Sequence, residues 1–85
     1  MNNGNKEPHR DNIIRVLKEQ YKDNKNKYLS ARELHDLLNK NKIKISLENM
    51  YRVLDKLCTY GYVEVVIDRD FNNNKYKRLF RYNPF

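Results

Sequence analysis

An 85-residue chain with 18 basic against 11 acidic residues, a formal net charge of +7 and one cysteine has room for one domain around one modest core. The charge excess favours a polyanionic partner, nucleic acid ahead of an acidic membrane surface. No run reaches the roughly 18 apolar residues of a bilayer span, and the lone Cys58 cannot close an internal disulfide, which fits a reducing cytoplasm.

Residues 1–9 are polar, contain Gly4 and Pro8 and lack the apolar stretch of a signal peptide, so they predict a flexible tail ahead of a folded domain over 10–85. Ile13, Ile14, Val16, Leu17 and Tyr21 recur at helical spacing and predict a first helix over 11–21. Asp23 to Lys27 reads as a solvated loop, and Tyr28 and Leu29 as a short bridging strand. Ser30-Ala31-Arg32-Glu33 then matches the S-x-x-E capping box, in which each side chain satisfies an amide left bare at a helix start. Leu34, Leu37 and Leu38 continue it into a second helix over 31–40.

Ile43 and Ile45 anchor the turn that follows, and Ser46 is placed to cap a third helix over 47–60. At about 100° per residue, Leu47, Val53, Leu54 and Leu57 fall within about 60° of Met50 and form its core stripe. Glu48, Arg52, Asp55 and Thr59 lie opposite, with Asn49 and Tyr51 on the flanks, and Gly61 stops the helix as a left-handed C′ residue. Cys58 borders the stripe as a small structural residue. Tyr62 to Ile67 is rich in β-branched residues, with Val63, Val65 and Ile67 on one face. Asp68 to Asn74 supplies turn formers, including Asn72, Asn73 and Asn74, and Tyr76 to Tyr82 is the returning strand. The order α-α-α-β-β predicts an α+β fold, mainly α: a winged helix-turn-helix of three helices followed by a β-hairpin wing over 68–77.

The third helix gathers polar groups at its exposed N-terminal end, the geometry that suits base edges and phosphates in a DNA major groove. Asn49 has the donor and acceptor pair for bidentate contact with adenine, or is a solvated first-turn residue; contact is the reading taken. Glu48 can accept from a cytosine amine or pair with Arg52 one turn on, and the intrahelical pair is the simpler reading. Tyr51 stands too far from the apolar stripe for core. Lys56 and Thr59 lie further along the exposed side, towards phosphate or water, and Asp55 calls for a neighbouring cation. On the wing, Arg69, Lys75, Lys77, Arg78 and Arg81 outnumber Asp70 and suit the DNA backbone or minor groove. Lys40, Lys42 and Lys44 approach the start of the third helix and suit flanking phosphates.

Ser30-Ala31-Arg32-Glu33-Leu34, then Ile45-Ser46-Leu47-Glu48-Asn49-Met50-Tyr51-Arg52-Val53-Leu54-Asp55-Lys56-Leu57, then Gly61-Tyr62-Val63 resembles the DNA-binding half of the ferric-uptake-regulator family over residues 11–82. That family shows S-A-x-E followed by a hydrophobic residue, I-S-x-A-T-V-Y-R-x-L-x-x-L, and G-L followed by a hydrophobic residue. The resemblance implies that Tyr51 touches base edges or a thymine methyl, that Arg52 grips phosphate, and that Ser46 and Asn49 lie at the DNA surface. Asn49 replaces the family's usual threonine and Glu48 its usual small residue, so a target sequence is not carried over. The family's dimerisation half, with its histidine and carboxylate metal ligands and C-x-x-C pairs, has no counterpart in the sequence. His9 in the tail and His35 on the second helix lack ligand company and read as exposed residues without a role, so metal sensing is rejected.

No glycine-rich phosphate loop, carboxylate pair or nucleophile–base spacing supports an enzyme, a catalytic residue or a cofactor. The expectation is a cytoplasmic, sequence-specific double-stranded DNA-binding protein, a transcriptional repressor, without membrane contact or evident small-molecule effector. A homodimer would enlarge the DNA interface, with the first helix and Tyr82-Asn83-Pro84-Phe85 as its surfaces. The alternatives are a winged-helix protein-interaction module and a non-specific architectural DNA-binding protein.

Overall fold

The computed structural model of the protein describes residues 9–70 and 75–85, Asp70 in its backbone alone. Of the expected tail over 1–9, all but His9 lies outside the described residues, as do the turn formers Asn72, Asn73 and Asn74. The elements run α1 (Arg10–Asp23), β1 (Leu29–Ser30), α2 (Ala31–Lys40), α3 (Leu47–Thr59), β2 (Val63–Asp70) and β3 (Lys75–Tyr82). The strands form one antiparallel sheet in the order β1-β3-β2, with Leu29 opposite Phe80 and Val63 opposite Tyr82. This is the winged-helix arrangement, three helices against a three-stranded sheet. The pairing of β1 makes the hairpin the larger part of that sheet rather than a separate ribbon.

Each helix meets the core along one stripe. Ile13, Val16 and Leu17 come from α1, Leu34 and Leu38 from α2, and Met50, Val53, Leu54 and Leu57 from α3. Leu29, Val63 and the fully buried Phe80 close the core from the sheet. Each such side chain stabilises the fold by about 1.5–3 kcal/mol through the area it removes from water. Leu47 departs from the expected stripe: at the first helical position it lies beyond the edge of the core and is 40% exposed.

The ends of the helices on either side of the turn are set by local chemistry. The capping box of α2 is complete, with Ser30 Oγ accepting from the Glu33 amide at 3.1 Å and Glu33 Oε1 from the Ser30 amide at 3.0 Å. Both α2 and α3 end in paired 6→1 and 5→2 backbone bonds. Ile43 N–H reaches the Leu38 carbonyl at 2.9 Å and Lys42 that of Asn39 at 3.0 Å; Tyr62 reaches Leu57 at 2.9 Å and Gly61 reaches Cys58 at 3.1 Å. The left-handed residue is Gly61 (φ 85°) after α3, as expected, but Lys42 (φ 62°) after α2. The apolar Ile43 that follows Lys42 belongs to the core cluster, so packing holds a conformation that lysine disfavours.

The hairpin is longer than its sequence suggests. Pairing continues through Arg69 opposite Tyr76 to Asp70 opposite Lys75, where turn residues were expected from Asp68 onward. The face carrying Val63, Val65 and Ile67 starts in the core and leaves it: Val63 is 3% exposed, Ile67 58%. Strand alternation continues beyond the last residue that the helices can cover.

Candidate nucleic-acid interface

Ser46, extended at φ −70° and ψ 154°, turns the chain into α3 and its Oγ accepts from the Asn49 amide at 3.1 Å. At the same third position of α2, Glu33 reaches back to close its box. Asn49 does not, so among the described residues its carboxamide has no partner. Glu48, Asn49 and Arg52 are exposed side by side on the outer face of the first turns, with Lys44 exposed ahead of them and Lys56 behind. The expected Glu48–Arg52 pair is not formed, although both sit on one helix face one turn apart. Held in water, such a pair gains little over two solvated charges.

A residue with no assigned role fixes the turn that presents this helix. His35 Nε2 donates to the Ile45 carbonyl at 2.7 Å, bridging α2 to the residue before Ser46. Half-buried and bonded, His35 is therefore not the idle exposed histidine that the sequence suggested. His9 likewise lies at the N-cap of α1, with its Nδ1 buried and unpartnered. Among the described residues no three His, Cys, Asp or Glu side chains gather in a way that could hold a metal ion, so they assemble no site for one.

Tyr51 of α3 and the wing stand side by side next to the first turn of α2. An open groove of about 620 Å³ runs between the first turn of α2, from Ser30 to Glu33 and Asp36, the Tyr51 ring and Lys77 of β3. The Ser30 amide bond chiefly holds the Glu33 carboxyl below its ordinary value, with Lys27 and Lys77 adding smaller attractions. Lys75 and Lys77 alternate onto the sheet face opposite Tyr76, Arg78 and Phe80 and are exposed. Arg69 lies with its guanidinium 5.5 Å from the Tyr76 ring across the hairpin.

Two basic residues expected on the wing are held by the protein itself. Arg81 sits at the root of the hairpin, ion-paired with Glu64, its Nη1 donating to the Lys25 carbonyl at 2.6 Å and its guanidinium 4.6 Å from the Tyr28 ring. Tyr28 donates to the same Glu64 oxygen at 2.8 Å. The Tyr28 hydroxyl first, and Arg81 second, hold the Glu64 carboxyl below its usual value, while the same bond raises the Tyr28 phenol. Arg78 pairs with Asp55 of α3 at 3.1 Å, supplying the cation that Asp55 called for. Cys58, half-buried beside Asp55, has its thiol raised chiefly by burial, as befits a packing residue.

The proposed dimer surface on α1 is also largely occupied. Ile13, Val16 and Leu17 are core, Ile14 packs against them, and the Tyr21 ring meets Tyr82 at 5.9 Å. Phe85 is fully exposed. No described helix is long and apolar enough to cross a membrane.

Residues 3–81 match the family described as Ferric uptake regulator family. Curated proteins give no match. A solved structure of the ferric uptake regulator from Francisella tularensis with iron is similar at a TM-score of 0.63 and 20% identity, over 99% of this chain and 58% of that one. The chain thus spans less than two thirds of the length of that regulator, and the likeness is one of fold.

Proposed function

Because the chain belongs to the ferric uptake regulator family, we propose that it is a transcriptional regulator that binds double-stranded DNA sequence-specifically in the cytoplasm. It represses by occupying its site. In this reading α3 enters the major groove: Asn49 and Tyr51 read bases, Arg52 and Ser46 meet the backbone at its edge, and Glu48 excludes or accepts at a neighbouring base. Lys44 and Lys56 neutralise flanking phosphates, while Arg69, Lys75 and Lys77 on the wing track the backbone.

The observation that carries the proposal is the pairing of two features. The first turns of α3 expose Glu48, Asn49 and Arg52, whose side chains bond no other described residue, and a hairpin with exposed lysines stands beside them. A homodimer on two half-sites would raise affinity, since one such domain offers a small DNA interface.

Selection from a random duplex pool at low salt tests the reading. The expected outcome is one enriched motif, with log K falling against log salt at a slope of about −4 to −5 if about five phosphates are met. Binding without an enriched motif would favour an architectural role. Exposed Ile67 and Tyr76 on the wing favour a second reading, a protein-interaction module. That reading replaces the first if duplex DNA is not retained at roughly 50 mM salt.

A further inference from the structure

We propose that Arg78 is a positioning residue that ties the wing to the reading helix and sets the Tyr51 ring for base contact, rather than a phosphate clamp. This rests on the DNA-reading role of α3 proposed above.

Arg78 stands midway along β3, opposite Ile67, on the sheet face that turns towards α3. Three groups hold its guanidinium. Nη1 bonds Asp55 Oδ1 at 3.1 Å, the Tyr51 ring centroid lies 5.5 Å away, and that of Phe80 5.7 Å away. Tyr51 and Asp55 are one turn apart on α3, so they stack along one helix face and the guanidinium spans both. Phe80 is fully buried and gives this assembly a rigid floor.

The consequences follow from the chemistry. A planar cation over an aromatic face restricts the ring, whereas an exposed tyrosine on a helix would sample its rotamers freely. The Asp55 carboxylate cancels much of the field that Arg78 would offer a phosphate. Lys75 and Lys77 have no carboxylate bonded to them and face the other way. The wing therefore contributes two different things: phosphate attraction from its lysines, and a fixed angle between hairpin and helix from Arg78. An ammonium cannot replace the guanidinium here, because it lacks the plane that covers the ring and the fork that reaches Asp55.

The test uses the whole chain and the motif enriched by the wild type. The readout is the ratio of affinities for that motif and for single-base variants of it, with the salt slope recorded in parallel. Arg78→Lys is expected to lower the largest of these ratios roughly fivefold, within the range that one base pair carries, and to leave the slope unchanged. Asp55→Asn should lower the same ratio, and Tyr51→Ala placed on Arg78→Lys should add little further loss, as coupled neighbours do. Wild-type ratios in Arg78→Lys or Asp55→Asn overturn the proposal. So does an Arg78→Gln variant with intact ratios and a slope shallower by about 1, the mark of a lost phosphate contact. A wild type with no enriched motif overturns the DNA-reading role itself, an outcome distinct from either of these.

Discussion

At its C-terminal end β3 presents Arg81, with its side chain 18% exposed, bound to the Glu64 carboxylate and a loop carbonyl and stacked on Tyr28. Six residues earlier on the same face, Lys75 stands exposed, and Lys77 faces Glu33 only across an open groove. The sequence counts these as equivalent positive charges on one strand. Their surroundings make the first a fastener, which closes the sheet onto the segment joining α1 to β1, and leave the others free to meet a polyanion. Net charge therefore says that a partner of opposite sign is plausible, while the partner each cation already has decides which of them can meet it.

The largest effect is expected beside Arg81, at the fastened end. Phe80 is fully buried between Leu29 and Val65, and Phe80→Ala should lose about 3–5 kcal/mol, a large part of what so small a domain has. Urea unfolding followed by circular dichroism would measure it. Arg81→Met comes next, at about 1–2 kcal/mol, because it removes bonds to the half-buried Glu64 and to the exposed Lys25 carbonyl, together with the contact on the Tyr28 ring. Its DNA salt slope should stay that of the wild type. A shallower slope would mean that Arg81 meets phosphate as well, and the contrast between the two ends would fail.

Acid should act on the fastened end too. The Tyr28 bond and Arg81 hold the Glu64 carboxyl below its ordinary 4.5, so the folded state releases that proton more readily than the unfolded chain. The stabilisation is complete above the unfolded value and disappears as pH falls through the lower folded one. Glu33, held low chiefly by the Ser30 amide, adds in the same direction. The urea midpoint should fall on acidification below about pH 4.5, and less steeply in Glu64→Gln, while Lys75→Ala should follow the wild-type curve.

Much of the frame was legible because local chemistry wrote it. The Ser30 capping box, the Ser46 cap, the Gly61 stop and the leucine spacings of α2 and α3 are short-range signals, and the helices fall where they point. The resemblance to a DNA-binding half was legible for a similar reason, since it rests on residues contiguous along α2 and α3. What the sequence could not supply was partnership across distance. Arg81 meets Glu64 from 17 residues away and Lys25 from 56, and nothing in a strand's own pattern distinguishes Arg81 from Lys75 and Lys77, the basic residues that share its face. His35 bonds a carbonyl ten residues on, visible only once the turn between the helices has its shape. Leu47 fitted the apolar stripe by angle, yet its place at the start of the helix carries it past the core that the angle implied.

The smallest effect on stability, and the sharpest on binding, belongs to the other end of the strand. Lys75→Ala and Lys77→Ala should each leave the urea midpoint nearly unchanged, within about 0.5 kcal/mol, because neither side chain fills the core or anchors a buried acceptor. Lys77→Ala should be the slightly less neutral of the two, since it removes a weak attraction to Glu33 across the groove. Each should make the salt slope for duplex DNA shallower by about 1, and the pair together by about 2, with base preference intact. Measured beside Arg81→Met, the two lysine variants form a crossed pair: one loses stability and keeps its slope, the others lose slope and keep their stability. A lysine variant that unfolds early without changing its slope would place the structural role at the wrong end of β3.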